Sequence, residues 1–451
     1  MERTRRPPLL ALAAATGALF GYLMAVSNDA ISFVRDEFVL PPLQSALVVS
    51  GLVAGALVGC VVAGRVADQL GRRRSLAAAA VIAAVGVLAS SVATGLPLML
   101  AGRLLAGVAV GMTSTITPLY LAELAPLGRR GTLLTSYQLF ITVGILLAFG
   151  VGLALSASGG WRWMFAVGVV PAVAQLVVAS VVPPSPLFLV HQGDIEGARR
   201  SLHRLRPPEE AEAELQALLA GVDRAPDTRP RLFEPRFRPG VTVGLVMALM
   251  NALVGVGAVI YYSSDVFRTA GLTGTSGAET ASLAVGGVNT LGALLSIWLT
   301  GRYGRRPLLT VGLAGIVVSL VVAGVTLMLP AAPAVGTVTV AAVLAYMVFF
   351  AISAGPLAWL LLAEVLPADV RARAASLATA ANWGANLLVA LLFPVVVGDP
   401  GIPARVGLVF VVFAVLSVGF LVYVRLRVPE TKGRTLEAIE ADLRQTSRHA
   451  A

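Results

Sequence analysis

The stretch GRVADQLGRRR, Gly64 to Arg74, closes a long apolar run with an acid, two glycines and a cluster of arginines. A weaker copy, GRYGRRP (Gly301 to Pro307), closes another apolar run in the second half of the chain. Beyond each copy lies a second shared stretch. AELAPLGRRG holds Glu123, Pro126 and Arg130, and AEVLPADVRA holds Glu364, Pro367 and Arg371, each pair offset by 241 positions. Two motifs recurring in the same order at about half the chain length mark a duplication, as in transporters assembled from repeated helical bundles.

Composition gives those halves their medium. The 451 residues are 57% hydrophobic and 13% charged, with a mean hydropathy of +0.84. Soluble domains carry about 25% charged residues. Apolar runs long enough to cross a bilayer recur about twelve times. The basic, apolar start MERTRRPPLLALAAATGALF resembles a signal peptide, but its apolar run continues to Val26 and further spans follow, so it reads as the first membrane helix. The expected fold is therefore an all-α membrane protein of about twelve transmembrane helices in two six-helix bundles around a central cavity. The expected divisions are a bundle over 1–190, a cytoplasmic linker over 191–237, a bundle over 238–428 and a cytoplasmic tail over 429–451.

The net charge of +10 orients the chain and calls for no nucleic acid. Arginines crowd alternate connections: Arg3, Arg5 and Arg6, Arg72 to Arg74, Arg129 and Arg130, Arg302 to Arg306, Arg371 and Arg373. The intervening connections carry few, namely Arg35, Arg162, Arg268 and Arg405. That asymmetry places the crowded loops and both termini in the cytoplasm, in a multi-pass protein of the plasma membrane. Cys60 is the only cysteine, so no internal disulfide forms. His191, His203 and His449 lie far apart, and no metal site is expected. No phosphate loop, nucleophile or cofactor motif appears, so neither an ATP-driven pump nor an enzyme is expected, and no cofactor.

Several residues carry candidate chemistry. Asp68 beside Arg72 and Arg73, with Gly64 and Gly71 permitting a tight turn, reads as a gating latch; the alternative is a loop that merely obeys the charge bias. Glu123 and Glu364 sit near arginines at the cytoplasmic boundary, where pairing would hold an inner gate closed; Arg130, Arg305 and Arg371 belong to the same set. Arg103 comes six residues after Pro97, close enough to its helix start to snorkel, and is costly in a membrane unless paired or wet. Gly107 and Gly111 follow it at a spacing that lets helices pack closely. Between the halves, DIEGARRSLHRL and PEEAEAELQALLAGV place Ile195, Ala198, Leu202 and Leu205, then Leu215, Leu218 and Val222, on helical stripes. Gly255 and Gly257 weaken the seventh span and permit a bend. Gly355-Pro356 breaks the regularity of the tenth. Gln138, Asn251, Asn289, Asn382 and Asn386 are amides inside apolar spans, suited to a solvated cavity or to joining helices. Trp359 and Trp383 lie within their spans rather than at the ends, which favours a cavity over an interfacial anchor. Tyr261 and Tyr262 near the outer end of the seventh span either gate the cavity or mark the interface.

In order, FGY, Gly64 to Arg73, PLYLAELAP with Arg130-Gly131, Gln138, WRWMF, PPSPLFL, YY, GRYGRRP, GPLAWLLLAEVLP, NW and PETKGR resemble the sugar porter family of the major facilitator superfamily over nearly the whole chain. The resemblance implies two bundles whose cavity opens alternately to each side. It also implies that Gln138, Trp359, Asn382 and Trp383 contact the sugar, amides bonding hydroxyls and indoles covering a pyranose face. The chain departs from the family pattern at several points. QQxxGxN of helix seven is here Asn251, Ala252 and Gly257 at its polar positions. The acid after FGY in proton-coupled members is Leu23. PESPR is Pro183 to Leu187 without its acid and base, and Gly301 replaces the aspartate of the second latch.

The expected activity is transport of a monosaccharide or similar small polyol, with the monomer as working unit. A proton-antiport exporter of amphipathic compounds and a proton symporter are alternatives, and a non-transporting sugar sensor is one from another class. Leu23 cannot titrate, and Arg103 stays charged at any accessible pH. Asp29, the next acid in the helix, lies roughly 9 Å along and about 120° around from Leu23, toward the outer end, where an interfacial role is expected. Facilitated diffusion follows, with Asp29 and Arg103 the only candidates for coupling.

Overall fold

A computed structural model of the chain describes residues 9–126, 130–223, 231–272, 276–330, 332–398 and 402–434, with 439 and 442. Twelve helices among them are long and apolar enough to span a membrane. In the first half these are α1 (Leu9–Phe38), α2 (Pro42–Leu70), α3 (Arg72–Ser91), α4 (Leu96–Leu124), α5 (Gly131–Ser156) and α6 (Trp161–Val181). In the second they are α7 (Arg238–Thr269), α8 (Gly277–Arg302), α9 (Arg305–Met328), α10 (Ala334–Val365), α11 (Arg371–Val397) and α12 (Pro403–Arg427). Each such helix satisfies its own backbone hydrogen bonds, which lipid cannot do. Among the described residues there are no strands.

Small residues set the helix spacing. A Cβ at Gly107 would lie 2.0 Å from the Leu52 carbonyl oxygen, and one at Gly111 2.1 Å from that of Ala56, so α4 rests backbone to backbone on α2. Between the halves, α2 packs against α11 and α5 against α8, while the outer part of α1 meets α7.

Four spans are interrupted: α1 at Val26 and α6 at Val167–Gly168 keep right-handed helical dihedrals, whereas α7 and α10 break with non-helical ones, close to where their glycines suggest. Helix α7 stops at Leu253 and restarts at Val256, with Gly255 at φ 95°, a left-handed conformation that favours glycine. It kinks again at Tyr262. Helix α10 is interrupted at Ser353, just before Gly355-Pro356. Between α6 and α7, the helices Ile195–Leu205 and Pro208–Asp223 fold on each other, burying Ala198, Leu202, Ala211 and Leu215 against Val190. Ion pairs Arg199–Glu212 (2.8 Å) and Arg206–Glu214 (2.6 Å) lace them together, and Arg206 also donates to the Ala125 carbonyl at the end of α4. The end of the molecule carrying this linker is called the linker side, and the other end the far side.

Candidate functional site

The two helix breaks face one another, and their freed backbone groups organise the centre of the second half. Asn251, on the last turn before the break in α7, donates to the Ala354 and Gly355 carbonyls beside the break in α10 (3.3 and 3.4 Å). Tyr346 donates to the Val254 carbonyl at the α7 break (3.1 Å). From α11, Asn382 donates to the Ala248 carbonyl (2.8 Å) and to the Asn251 side chain (3.3 Å). Asn386 closes the chain by donating to both oxygens of Asn382 (3.0 and 3.2 Å). Buried amides are costly unless bonded in this way. A Cβ at Gly257 would lie 3.1 Å from Asn386 Oδ1, so the amide of α11 occupies the space beside the glycine of α7.

Around this chain stand the other expected residues. Trp383 is buried on α11 and meets Phe20 of α1 across the halves, ring centres 6.0 Å apart. Trp359 is half-buried against Phe237, Val241 and Leu366, on the linker side of Asn382. Gln138 is half-buried on α5, and Asn289 is buried on α8. The contacts join Asn251, Asn382 and Asn386 directly; Gln138, Asn289 and Trp359 lie outside that cluster.

On the far side the halves are sewn together by a polar seam that the sequence reading missed. Asn28 of α1 donates to Ser264 of α7 (2.9 Å) and accepts from the Ser263 hydroxyl (3.1 Å) and the Ser264 N–H (3.2 Å), just past the kink at Tyr262. Both serines also bond Ser282 of α8. Asp29 belongs to this seam. Its expected interfacial place is corrected by an exposure of 1%. Oδ1 accepts from Asn28 (2.8 Å) and from the Ser264 hydroxyl, while Oδ2 is buried without a hydrogen-bond partner. Room for the carboxylate comes from Gly152 of α5, where a Cβ would stand 2.0 Å from Oδ2. Tyr261 and Tyr262 are both buried here. Tyr261 reaches Met24 Sδ at 4.0 Å, and Tyr262 donates to the Ala390 carbonyl (2.7 Å) and stacks on Phe393.

Arg103 does not snorkel. It is 1% exposed, donates to the Val48 carbonyl (3.3 Å) and stands over the Phe165 ring, 5.4 Å from its centre. Leu23 is fully buried, and among the described residues no carboxylate pairs with Arg103.

At the linker side the two halves solve one problem differently. Arg72 pairs with Glu123 (3.0 Å) and with the exposed Asp68 (3.2 Å). Arg305 pairs with Glu364 (3.1 Å). These pairs lie within their own halves. Arg73 donates to the Ser180 carbonyl and Arg371 to that of Leu366, while the Arg130 side chain lies outside the described residues. In the second half, Glu430 of PETKGR accepts backbone N–H groups from Arg305 (2.9 Å), Arg306 (3.1 Å), Thr431 (3.0 Å) and Lys432 (2.9 Å). It thereby caps the start of α9, where the helix dipole favours an anion. Burial pushes the Glu430 carboxyl up, but these four donors outweigh it and hold the group below its ordinary value. Thr431 adds a hydroxyl bond to Glu364 (2.5 Å). In the first half Pro184 stands where an acid would, the Phe188 ring covers Gly71 and Arg72, and Glu123 Oε2 is buried without a partner.

The sequence and the fold both have relatives. A family model described as sugar (and other) transporter matches residues 9–443. A putative metabolite transport protein, YwtG of Bacillus subtilis, is 36% identical over 429 residues, 95% of this chain and 93% of the relative. The galactose-proton symporter of Escherichia coli K12 is 35% identical over 436 residues, 96% and 93% of the two chains. Among solved structures, a partially occluded inward-open form of the xylose transporter XylE from E. coli superposes with a TM-score of 0.82 at 27% identity, covering 95% of this chain and 98% of that one. With twelve spans in the order of the motifs and a family model that runs nearly end to end, the chain belongs to the sugar (and other) transporter family, the sugar porters of the major facilitator superfamily.

Proposed function

We propose that the protein carries a monosaccharide across the plasma membrane by alternating access, as facilitated diffusion, with the linker side and both termini in the cytoplasm. The carrying observation is the amide chain Asn251–Asn382–Asn386 at the facing helix breaks, beside Trp383. Discontinuous helices near the bilayer midplane are where such carriers bind their substrates. Amides offer donors and acceptors to paired hydroxyls, and an indole covers an apolar sugar face. The relatives named as sugar transporters support that substrate class. The exporter reading rested on the amides that α7 lacks; Asn386 supplies one beside Gly257 and weakens it. The working bodies are the two six-helix bundles, 1–190 and 238–428, with the monomer as unit.

Facilitated diffusion is supported by two residues: Leu23 stands where proton-coupled relatives carry an acid, and Arg103 donates to a backbone carbonyl and pairs with no carboxylate among the described residues. Proton symport through Asp29 is the second reading, favoured by one observation: its Oδ2 is buried in the seam between halves without a partner. Proteoliposomes given labelled D-galactose, D-glucose, D-xylose or L-arabinose decide between them. Entry that stops at the outside concentration, with or without an inward proton gradient, is expected. Accumulation abolished by an uncoupler overturns facilitated diffusion, and its loss in Asp29→Asn then assigns the coupling carboxylate. Entry of none of the four sugars overturns the substrate class.

A further inference from the structure

A cavity of about 190 Å³ lies on the far side, outward of the tyrosine pair and separate from the amide chain. Its wall comes from both halves. Arg35 of α1 and Ser45 of α2 line one side, and Asp265, Arg268, Phe393 and Val397 of α7 and α11 line the other. The cavity is therefore complete only while the far side is closed, because opening the seam would carry Arg35 and Ser45 away from their partners.

Its chemistry is that of a hydroxyl-rich ligand. Ser45 Oγ is buried without a hydrogen-bond partner although it lines the cavity, an unmet donor and acceptor. Arg35 and Arg268 stand 3.8 and 3.6 Å from Asp265, while Arg35 also meets Asp36 at 4.0 Å and Arg268 pairs with Glu279, so both cations are already answered by carboxylates. Cations so paired do not call for an anionic ligand; the cluster supplies fixed donors and acceptors for a neutral one. The Tyr262–Phe393 stack and Val397 supply an apolar wall. The volume, about six waters at about 30 Å³ each, is below the about 300–1,000 Å³ of pockets for drug-sized ligands.

We propose that this cavity is a second, outward-facing carbohydrate site that takes one neutral monosaccharide-sized polyol and, when filled, holds the outer gate shut. The proposal rests on the orientation and substrate class given above. A ligand that binds only the closed form removes the open one by mass action. At about nine times its Kd the population open to the outside falls about tenfold. Uptake then rises with outside sugar, passes a maximum and declines.

The test uses the full chain with Cys60→Ser and a reporter, Val266→Cys, which lines the cavity and is buried. In detergent, D-galactose, D-glucose, D-xylose and L-arabinose are each tested for slowing maleimide labelling of the reporter. Slowing of about fivefold or more by at least one sugar is expected. It should be lost in Val397→Trp, which fills the cavity, and weakened in Ser45→Ala, which removes only the hydroxyl. In proteoliposomes, the decline of uptake at high sugar should vanish in Val397→Trp and move to higher sugar in Ser45→Ala, while half-saturation at low sugar stays within about twofold in both. Labelling indifferent to all four sugars overturns the site, whether or not the sugar is transported. So does a decline in uptake that persists in both variants. Failure of uptake with protection intact overturns the transport reading instead.

Discussion

Replacing Asn28 by alanine removes the pivot of the far-side seam without touching the amide chain. Three hydrogen bonds between halves disappear: Asn28 to the Ser264 hydroxyl, and those from the Ser263 hydroxyl and the Ser264 N–H. Each contributes about 0.5–1.5 kcal/mol net, so the closed far side loses about 1.5–4.5 kcal/mol. The open form exposes the same groups to water in both proteins and is little changed. At about 1.4 kcal/mol per tenfold, the equilibrium shifts toward the outside by one to three orders of magnitude. Water entering the vacated space offsets part of this, which favours the lower end. The assay is labelling of Val266→Cys by an impermeant maleimide from outside intact vesicles, on a Cys60→Ser background. Because Val266 is buried with the far side closed, its labelling reads opening. An acceleration of about tenfold or more is expected. A folded Asn28→Ala protein whose labelling changes by less than about threefold would refute the seam as the outer gate.

Other outcomes follow from the remaining sites. Trp383→Ala should weaken sugar binding by about 2- to 12-fold, since such ring contacts contribute about 0.5–1.5 kcal/mol; unchanged affinity for every transported sugar, measured by titration, removes Trp383 from the site. Asp68→Asn should slow turnover by up to about fivefold, since an exposed pair contributes about 0–1 kcal/mol, with affinity in detergent retained; a collapse of binding in folded protein would end the latch reading. Glu430 has its carboxyl held low in the folded state, so its stabilisation is present above the ordinary carboxylate range and is lost as pH falls through the folded value. Hydrogen exchange at the Arg305 and Arg306 amides should rise as pH drops below that range, after correction for intrinsic exchange. Glu430→Gln should raise it about 2- to 30-fold at neutral pH, from about 0.5–2 kcal/mol per cap; exchange indifferent to both changes removes the cap.

What could be read in the sequence and what could not divide along physical lines. The duplication and the twelve spans were legible because apolar run length and motif order are one-dimensional quantities. The breaks in α7 and α10 were legible because glycine and proline act locally, and they fell within a few residues of Gly255 and Gly355. Asn251, Asn382 and Asn386 stood out as amides in apolar spans. The far-side seam did not, although Ser27, Asn28 and Asp29 form a polar triplet inside an apolar run and Ser263-Ser264 follows the tyrosine pair. Each doublet alone looks like a span approaching the interface; only the pairing of α1 with α7 makes them one structure. Asp29 and Arg103 were misplaced for the same reason. Their burial depends on Gly152, 123 positions away, and on Val48 and Phe165, 55 and 62 positions away, and no local pattern encodes such partners.

The repeat specifies a scaffold and leaves its energetics free to diverge. Arg72 and Arg305 hold equivalent places, as do Glu123 and Glu364, and both pairs form at nearly equal length. Yet the second pair is buttressed by Thr431 and by Glu430 at the head of α9, whereas the first has proline, a phenyl ring and a carboxylate oxygen left without a partner. Each pair leaves one buried polar atom unmet, Glu123 Oε2 in the first half and Arg305 Nε in the second, so the difference lies in the added Thr431 and Glu430 bonds, each contributing about 0.5–1.5 kcal/mol. The first half therefore holds its linker-side cluster less tightly than the second. On the far side the inequality runs the same way: α7 and α8 already bond to each other through Ser263, Ser264 and Ser282, and α1 brings Asn28 and Asp29 to that wall. On the alternating-access reading proposed above, rearrangement falls chiefly on the first half at both ends, with the second half as the firmer frame against which it moves.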